Sequence, residues 1–157
     1  MRQISIVSGL LKCLIIAGIM TMTAIALASC ATSKGTAKAP YTEARNYFFR
    51  NDATVPTSPL IDNRHDFDRL FGAAAFMGDN GRPTKIDFKK SFVIAVVLPE
   101  TDVDTSIEID DMTVDKSTLT LKYAVKTGNK NSYTTRPMAV VVVDNKFKRA
   151  NVVLKRK

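Results

Sequence analysis

The sequence predicts an α+β fold: one antiparallel, β-rich domain in the order β-α-β-β-β-β-β, with a single helix packed on a curled sheet and a β-sandwich as the alternative arrangement. Three observations carry this. Phe92–Leu98 and Met138–Val143 are continuous apolar runs, too short for a typical helix and apolar on both faces, as central strands are. In Ser117–Val125, Leu119, Leu121, Tyr123 and Val125 alternate with Thr118, Thr120 and Lys122, the pattern of a strand with core on one side and water on the other. A clear helical period occurs at Phe67, Leu70, Phe71 and Ala74, spaced i, i+3, i+4 and i+7.

The first strand is the aromatic triplet Tyr47-Phe48-Phe49 between Arg45 and Arg50. Pro56 and Pro59 make Ala53–Pro59 a loop. The helix follows, with Asn63 as its cap and Asp66 at the positive end of its dipole. Ala73-Ala74-Ala75 extends it and Gly78 ends it, while Gly72 weakens its middle by about 1 kcal/mol relative to Ala. Gly78–Pro83 is a turn rich in Gly, Asp and Asn. Ser106–Val114 and Ser117–Val125 form a hairpin around Asp115-Lys116. Gly128-Asn129-Lys130-Asn131-Ser132 reads as a polar loop. Asp144-Asn145-Lys146 turns the chain into a last short strand, Asn151–Leu154. The short turns between consecutive strands favour antiparallel pairing.

The N-terminal 29 residues are laid out as a secretory leader. Arg2 and Lys12 supply a positive start, an apolar stretch runs from Leu14 to Leu27, and Ala28 and Ser29 are small. Leu27-Ala28-Ser29-Cys30 resembles the lipobox of bacterial lipoproteins, in which the cysteine is acylated and becomes the first residue of the mature chain. The competing reading is an uncleaved span. Cys13–Ser29 lies at the short limit for crossing a hydrocarbon core of about 30 Å, and Gly18, Thr21 and Thr23 interrupt it. The leader reading is preferred, and lipid on Cys30 then makes the membrane a partner. The organisation expected is a signal peptide over 1–29, a flexible tether over 30–40 and one domain over 41–157. No acid follows Cys30 closely. By likeness to such lipoproteins this places the protein in the cell envelope, anchored to the outer membrane, with the periplasmic face favoured over the cell surface.

Cleavage removes Cys13 and lipidation occupies Cys30, so stability must come from a packed core rather than disulfides. The formal charge is +8, from 23 Lys and Arg against 15 Asp and Glu, and basic residues crowd the stretch from Lys146 to Lys157. In an envelope compartment such a balance points away from nucleic acid and towards anionic head groups, or simply towards a solvated tail.

Signals of catalysis are weak, and no enzyme activity is expected. His65, the single histidine, lies among Asn63, Arg64, Asp66 and Asp68 and reads as a surface residue beside a helix cap. No Gly-x-Ser-x-Gly elbow, zinc spacing or phosphate loop occurs. The acidic stretch from Glu100 to Asp111 fails the calcium-loop pattern, because Ile107 and Thr113 stand where Gly and Glu are required. No metal or cofactor is expected. The candidate partner-binding residues are Tyr133 and Arg136, of the two types that anchor interfaces, within the segment 128–137. The segment 56–63 is a second candidate, and for both the plainer reading is an ordinary connection.

The order of segments adds a family resemblance. Phe67-Asp68-Arg69-Leu70-Phe71 is followed by Ile86–Val96, by Ser106-Ile107-Glu108-Ile109 and by Tyr133-Thr134-Thr135-Arg136-Pro137. Over Phe67–Val143 this is similar to the C-terminal domain of the protease-associated lipoproteins called PrcB, and the whole chain resembles small lipoproteins of the Bacteroidetes. The resemblance implies a non-enzymatic, lipid-anchored module that binds a protein and stabilises or regulates an envelope protease. The alternatives are a domain that binds or hydrolyses glycan or cell-wall material, and a purely structural envelope lipoprotein.

Overall fold

The computed structural model describes residues 35–78 and 80–157. The leader and Cys30 lie outside the described residues, as does the tether up to Lys34. Within them the chain forms β1 (Ala37–Lys38), β2 (Tyr41–Glu43), β3 (Tyr47–Phe49), β4 (Leu60–Ile61), helix α1 (Arg64–Leu70), β5 (Phe71–Ala73), β6 (Ser91–Val97), β7 (Thr101–Asp115), β8 (Thr118–Thr135), β9 (Met138–Asp144), a 3-10 turn (Asn145–Phe147) and β10 (Asn151–Arg156). It is the β-rich α+β domain that the sequence predicts.

The strands form three sheets, in the orders β1-β7-β8-β10, β2-β9-β6-β4 and β3-β5. One long ribbon dominates. β6 and β9 pair from Ser91↔Asp144 to Val97↔Met138, and β7 and β8 continue the ribbon to a two-residue turn at Lys116-Ser117. Between these halves lie Pro99 and Pro137, neither of which can donate to a ladder. The ribbon folds over at this corner, which is tied by the Leu98 N–H to the Pro137 carbonyl (2.9 Å).

The fold-over creates the core. Phe92, Ile94 and Val96 of β6 and Val141 and Val143 of β9 pack against Met112, Leu119 and Leu121 from the other sheet. On the opposite face of the β6–β9 pair, Val93, Ala95 and Val140 pack against Phe67, Leu70, Phe71 and Phe49. Both central strands are thus covered twice, which is why their sequences are apolar without alternation. A second sheet supplies the cover that a lone helix cannot, so the β6–β9 pair is the middle layer of three.

Four expectations are corrected. The helix is shorter than its apolar period. Asn63 caps it, its Oδ1 accepting the Asp66 N–H at 2.8 Å, but Phe71 turns extended (φ −125°, ψ 138°) and the chain pairs with β3 instead of continuing to Gly78. Alanine's helix preference is a weak prior, and a strand partner overrides it. The tether does not reach residue 40: Ala37 and Lys38 pair with Val114 and Thr113, and Ala39 is buried, donating its N–H to the Met112 carbonyl at 2.8 Å. The polar loop 128–132 is strand, because the hairpin arms run on to Thr101↔Thr135 with bulges between Thr101 and Val103, Val103 and Thr105, and Ile109 and Asp111. Finally, β10 runs parallel to β8, from Asn151↔Thr118 to Arg156↔Tyr123. A chain that leaves β9 for the other sheet at this end must run in the direction of β8.

Candidate functional site

The site grows from the alternation of β3. Tyr47 and Phe49 face inward: Tyr47 meets the Phe67 ring edge-on at 5.1 Å, and Phe49 meets Phe71 edge-on at 5.6 Å. The ring between them, Phe48, must therefore face outward. It lies across Gly72, where a Cβ would collide with it, and is 48% exposed. The alternation of the strand, with Tyr47 and Phe49 turned inward, holds this apolar ring at the surface.

Beside β3 lies an open groove of about 520 Å³, lined on the β3 side by Tyr47, Phe48 and Phe49 and otherwise by Thr134, Thr135 and Arg136 with Glu100 and Met138. Arg136 is the fixed point of this lining. Its Nη2 donates to Glu100 Oε1 at 2.8 Å, and its guanidinium sits 5.4 Å from the centroid of the Phe49 ring. The corner at Pro99 and Pro137 holds the pair together, since Arg136 precedes one proline and Glu100 follows the other. An ion pair in a fixed bend, stacked on an aromatic face, offers a planar donor set with little conformational freedom left to lose.

Of the two candidate partner-binding residues the sequence singles out, Arg136 lines the groove. Tyr133 does not line it. It stands 62% exposed in the bulge where the register jumps from Val103↔Lys130 to Thr101↔Thr135. The second candidate segment, 56–63, supplies edge strand β4 and the Asn63 cap. Phe48 is the residue that the sequence reading missed. The signal was present in the triplet Tyr47-Phe48-Phe49, because three consecutive rings in one strand cannot share a face.

The acidic stretch is laid against cations. Lys130 meets Asp102 at 3.0 Å, Lys126 meets Glu108 at 2.6 Å, and Lys157 meets Asp110 at 2.8 Å. Asp111 faces Lys38 at 4.0 Å. The hydrogen bond from Lys157 holds the Asp110 carboxyl below the ordinary carboxylate range, and the same bond raises Lys157. Among the described residues no group of three His, Cys, Asp or Glu side chains is placed to hold a metal ion. His65 is exposed on α1. Burial raises the Tyr47 hydroxyl, with Arg64 opposing, and that hydroxyl donates to the Thr84 carbonyl at 2.7 Å, which fits it for holding β3 in place.

Comparison with family models, with curated proteins and with solved structures finds no match for this chain.

Proposed function

We propose that this protein is a lipid-anchored, non-enzymatic envelope lipoprotein, carried on Cys30, that binds a protein partner in the groove between Phe48 and Arg136. The observation that supports it best is the Phe48 ring, half-exposed and seated on Gly72, with Arg136, already fixed by Glu100, lining the same groove. Aromatic and arginine side chains are the usual anchors of protein interfaces. Anchors that are rigid before binding lose less freedom when a partner arrives.

An envelope protease is the kind of partner that the resemblance to PrcB-type lipoproteins implies, and the periplasmic face of the outer membrane is the expected place. The test is affinity capture of the tagged full chain from its own envelope, run beside Phe48→Ala and Arg136→Ala. One stoichiometric partner is expected with the parent chain, with recovery reduced at least tenfold by either substitution, since anchors are worth about 2 kcal/mol or more. Stability should change by about 1 kcal/mol or less, because both side chains are partly exposed or surface-paired. Equal recovery by all three chains rejects the groove, and steady hydrolysis of glycan by the purified protein rejects the non-enzymatic reading.

A further inference from the structure

The end of the domain opposite the groove is made of three turns tied side by side. The Asn145 N–H donates to the Lys90 carbonyl at 2.9 Å, and the Asn151 N–H to the Ser117 carbonyl at 2.7 Å. Asn145 Nδ2 adds a bond to the Lys89 carbonyl at 3.0 Å. These turns present Lys89, Lys90, Lys116 and Arg149, all exposed. The carboxylates that share this end are Asp62, Asp87, Asp115 and Asp144, and three of them are engaged locally. Asp87 accepts the Lys89 N–H at 3.0 Å, Asp144 accepts the Lys146 N–H at 2.8 Å, and Asp62 holds Lys148 at 3.0 Å. Lys146 lies over the Phe147 ring at 4.9 Å.

The described chain begins at this same end. Ala37 pairs with Val114 and Lys38 with Thr113, so Gly35 lies towards the Lys116 turn. β2 then carries the chain along β9 towards the groove, from Tyr41↔Val143 to Glu43↔Val141. Cys30 precedes Gly35 by five residues, and a chain of that length reaches no more than about 18 Å.

We infer that the three-turn end, through Lys89, Lys90, Lys116 and Arg149, docks on the anionic head groups of the bilayer that holds the lipid, and so points the groove away from the membrane. The inference rests on the lipid-anchored reading. The cations meet the phosphate layer where the anchor brings them near it, and a partner meets Phe48 at the far end. Each basic side chain at such a surface is worth about fivefold in partitioning.

The test uses the full chain purified from membranes, its mass reporting whether Cys30 is acylated. A fluorophore is placed at Ser117→Cys or at Thr134→Cys, and the protein is reconstituted in vesicles of phosphatidylglycerol with phosphatidylcholine, or of phosphatidylcholine alone, carrying a head-group quencher. The 117 probe should be quenched only on the anionic vesicles and released in molar salt, where screening contracts to about 3 Å. The 134 probe should stay bright. Lys89→Gln, Lys90→Gln and Lys116→Asn together should cut the quenched fraction about a hundredfold in its equilibrium constant; Asn is chosen at 116 because that residue has φ 53°. Equal quenching at both positions, or quenching indifferent to lipid charge, overturns the inference. A chain whose Cys30 carries no lipid defeats the anchor alone. Flotation of that chain with the two vesicle types then decides the surface, with retention on the anionic vesicles supporting it and no difference rejecting it.

Discussion

The Phe48 ring lies against Gly72 across the β3–β5 pair, so closely that its carbon atoms occupy the space a Cβ at residue 72 would need. One residue keeps the other at the surface. The glycine that weakens a helix in the sequence reading is the seat of the aromatic in the structure.

Gly72→Ala should therefore displace the ring or strain the hairpin, at a cost of about 1–3 kcal/mol. Phe48→Ala alone should cost less, because the ring is half-exposed. In the double variant the penalty of Gly72→Ala should largely vanish, a coupling of at least about 0.5 kcal/mol in a double-mutant cycle. Urea unfolding followed by far-ultraviolet circular dichroism measures all three. Additive effects would show that the two residues do not share that space.

Phe67→Ala should be among the most damaging single changes in the domain, at about 3–5 kcal/mol. The side chain is fully buried, stacks on Phe71 at 5.0 Å and meets Phe88 at 5.7 Å. Its loss opens a cavity that α1, β3 and the 86–88 segment all border. A loss of less than 1 kcal/mol in the same urea assay would mean that α1 is not a fixed part of the core.

Legibility divides along these lines. Both buried strands and the turn beside Lys116 follow from the sequence, because apolar runs and two-residue turns are local signals. The helix end was not legible, since Phe67, Leu70 and Phe71 keep the same buried side whether the chain continues as helix or changes to strand after Leu70. The long hairpin arms were hidden for another reason. Gly128–Ser132 carries turn chemistry, and its pairing across the ribbon at Val103↔Lys130, with the ion pair of Lys130 and Asp102, is what makes it strand. Of the groove, Arg136 was readable as an anchor type, whereas its contact with Phe49 depends on the fold-over at the prolines.

Stability should be flat near neutrality and decline in acid. Asp62 is held below its ordinary value of 3.8, first by its bond from Lys148 and then by Asn63, and Asp110 by its bond from Lys157. A carboxyl depressed in the folded state contributes stability above the unfolded value and loses it as pH falls through the folded value. The urea midpoint should thus drop below about pH 4, and Asp62→Asn should lower the neutral plateau while flattening that drop. An unchanged acid slope in the variant would remove Asp62 from the account.

The bend at Pro99 and Pro137 also sets an order of assembly. β6 finds its partner β9 only after about forty intervening residues, the two arms between them, have been made. A nascent chain emerging from its N-terminus must hold Phe92–Leu98 uncovered through that interval, and a seven-residue apolar strand without charge is the kind of segment that sticks to its own copies. Rapid closure of the Lys116-Ser117 hairpin shortens the wait, so slowing that turn should raise aggregation during synthesis well before it lowers the stability of the finished molecule.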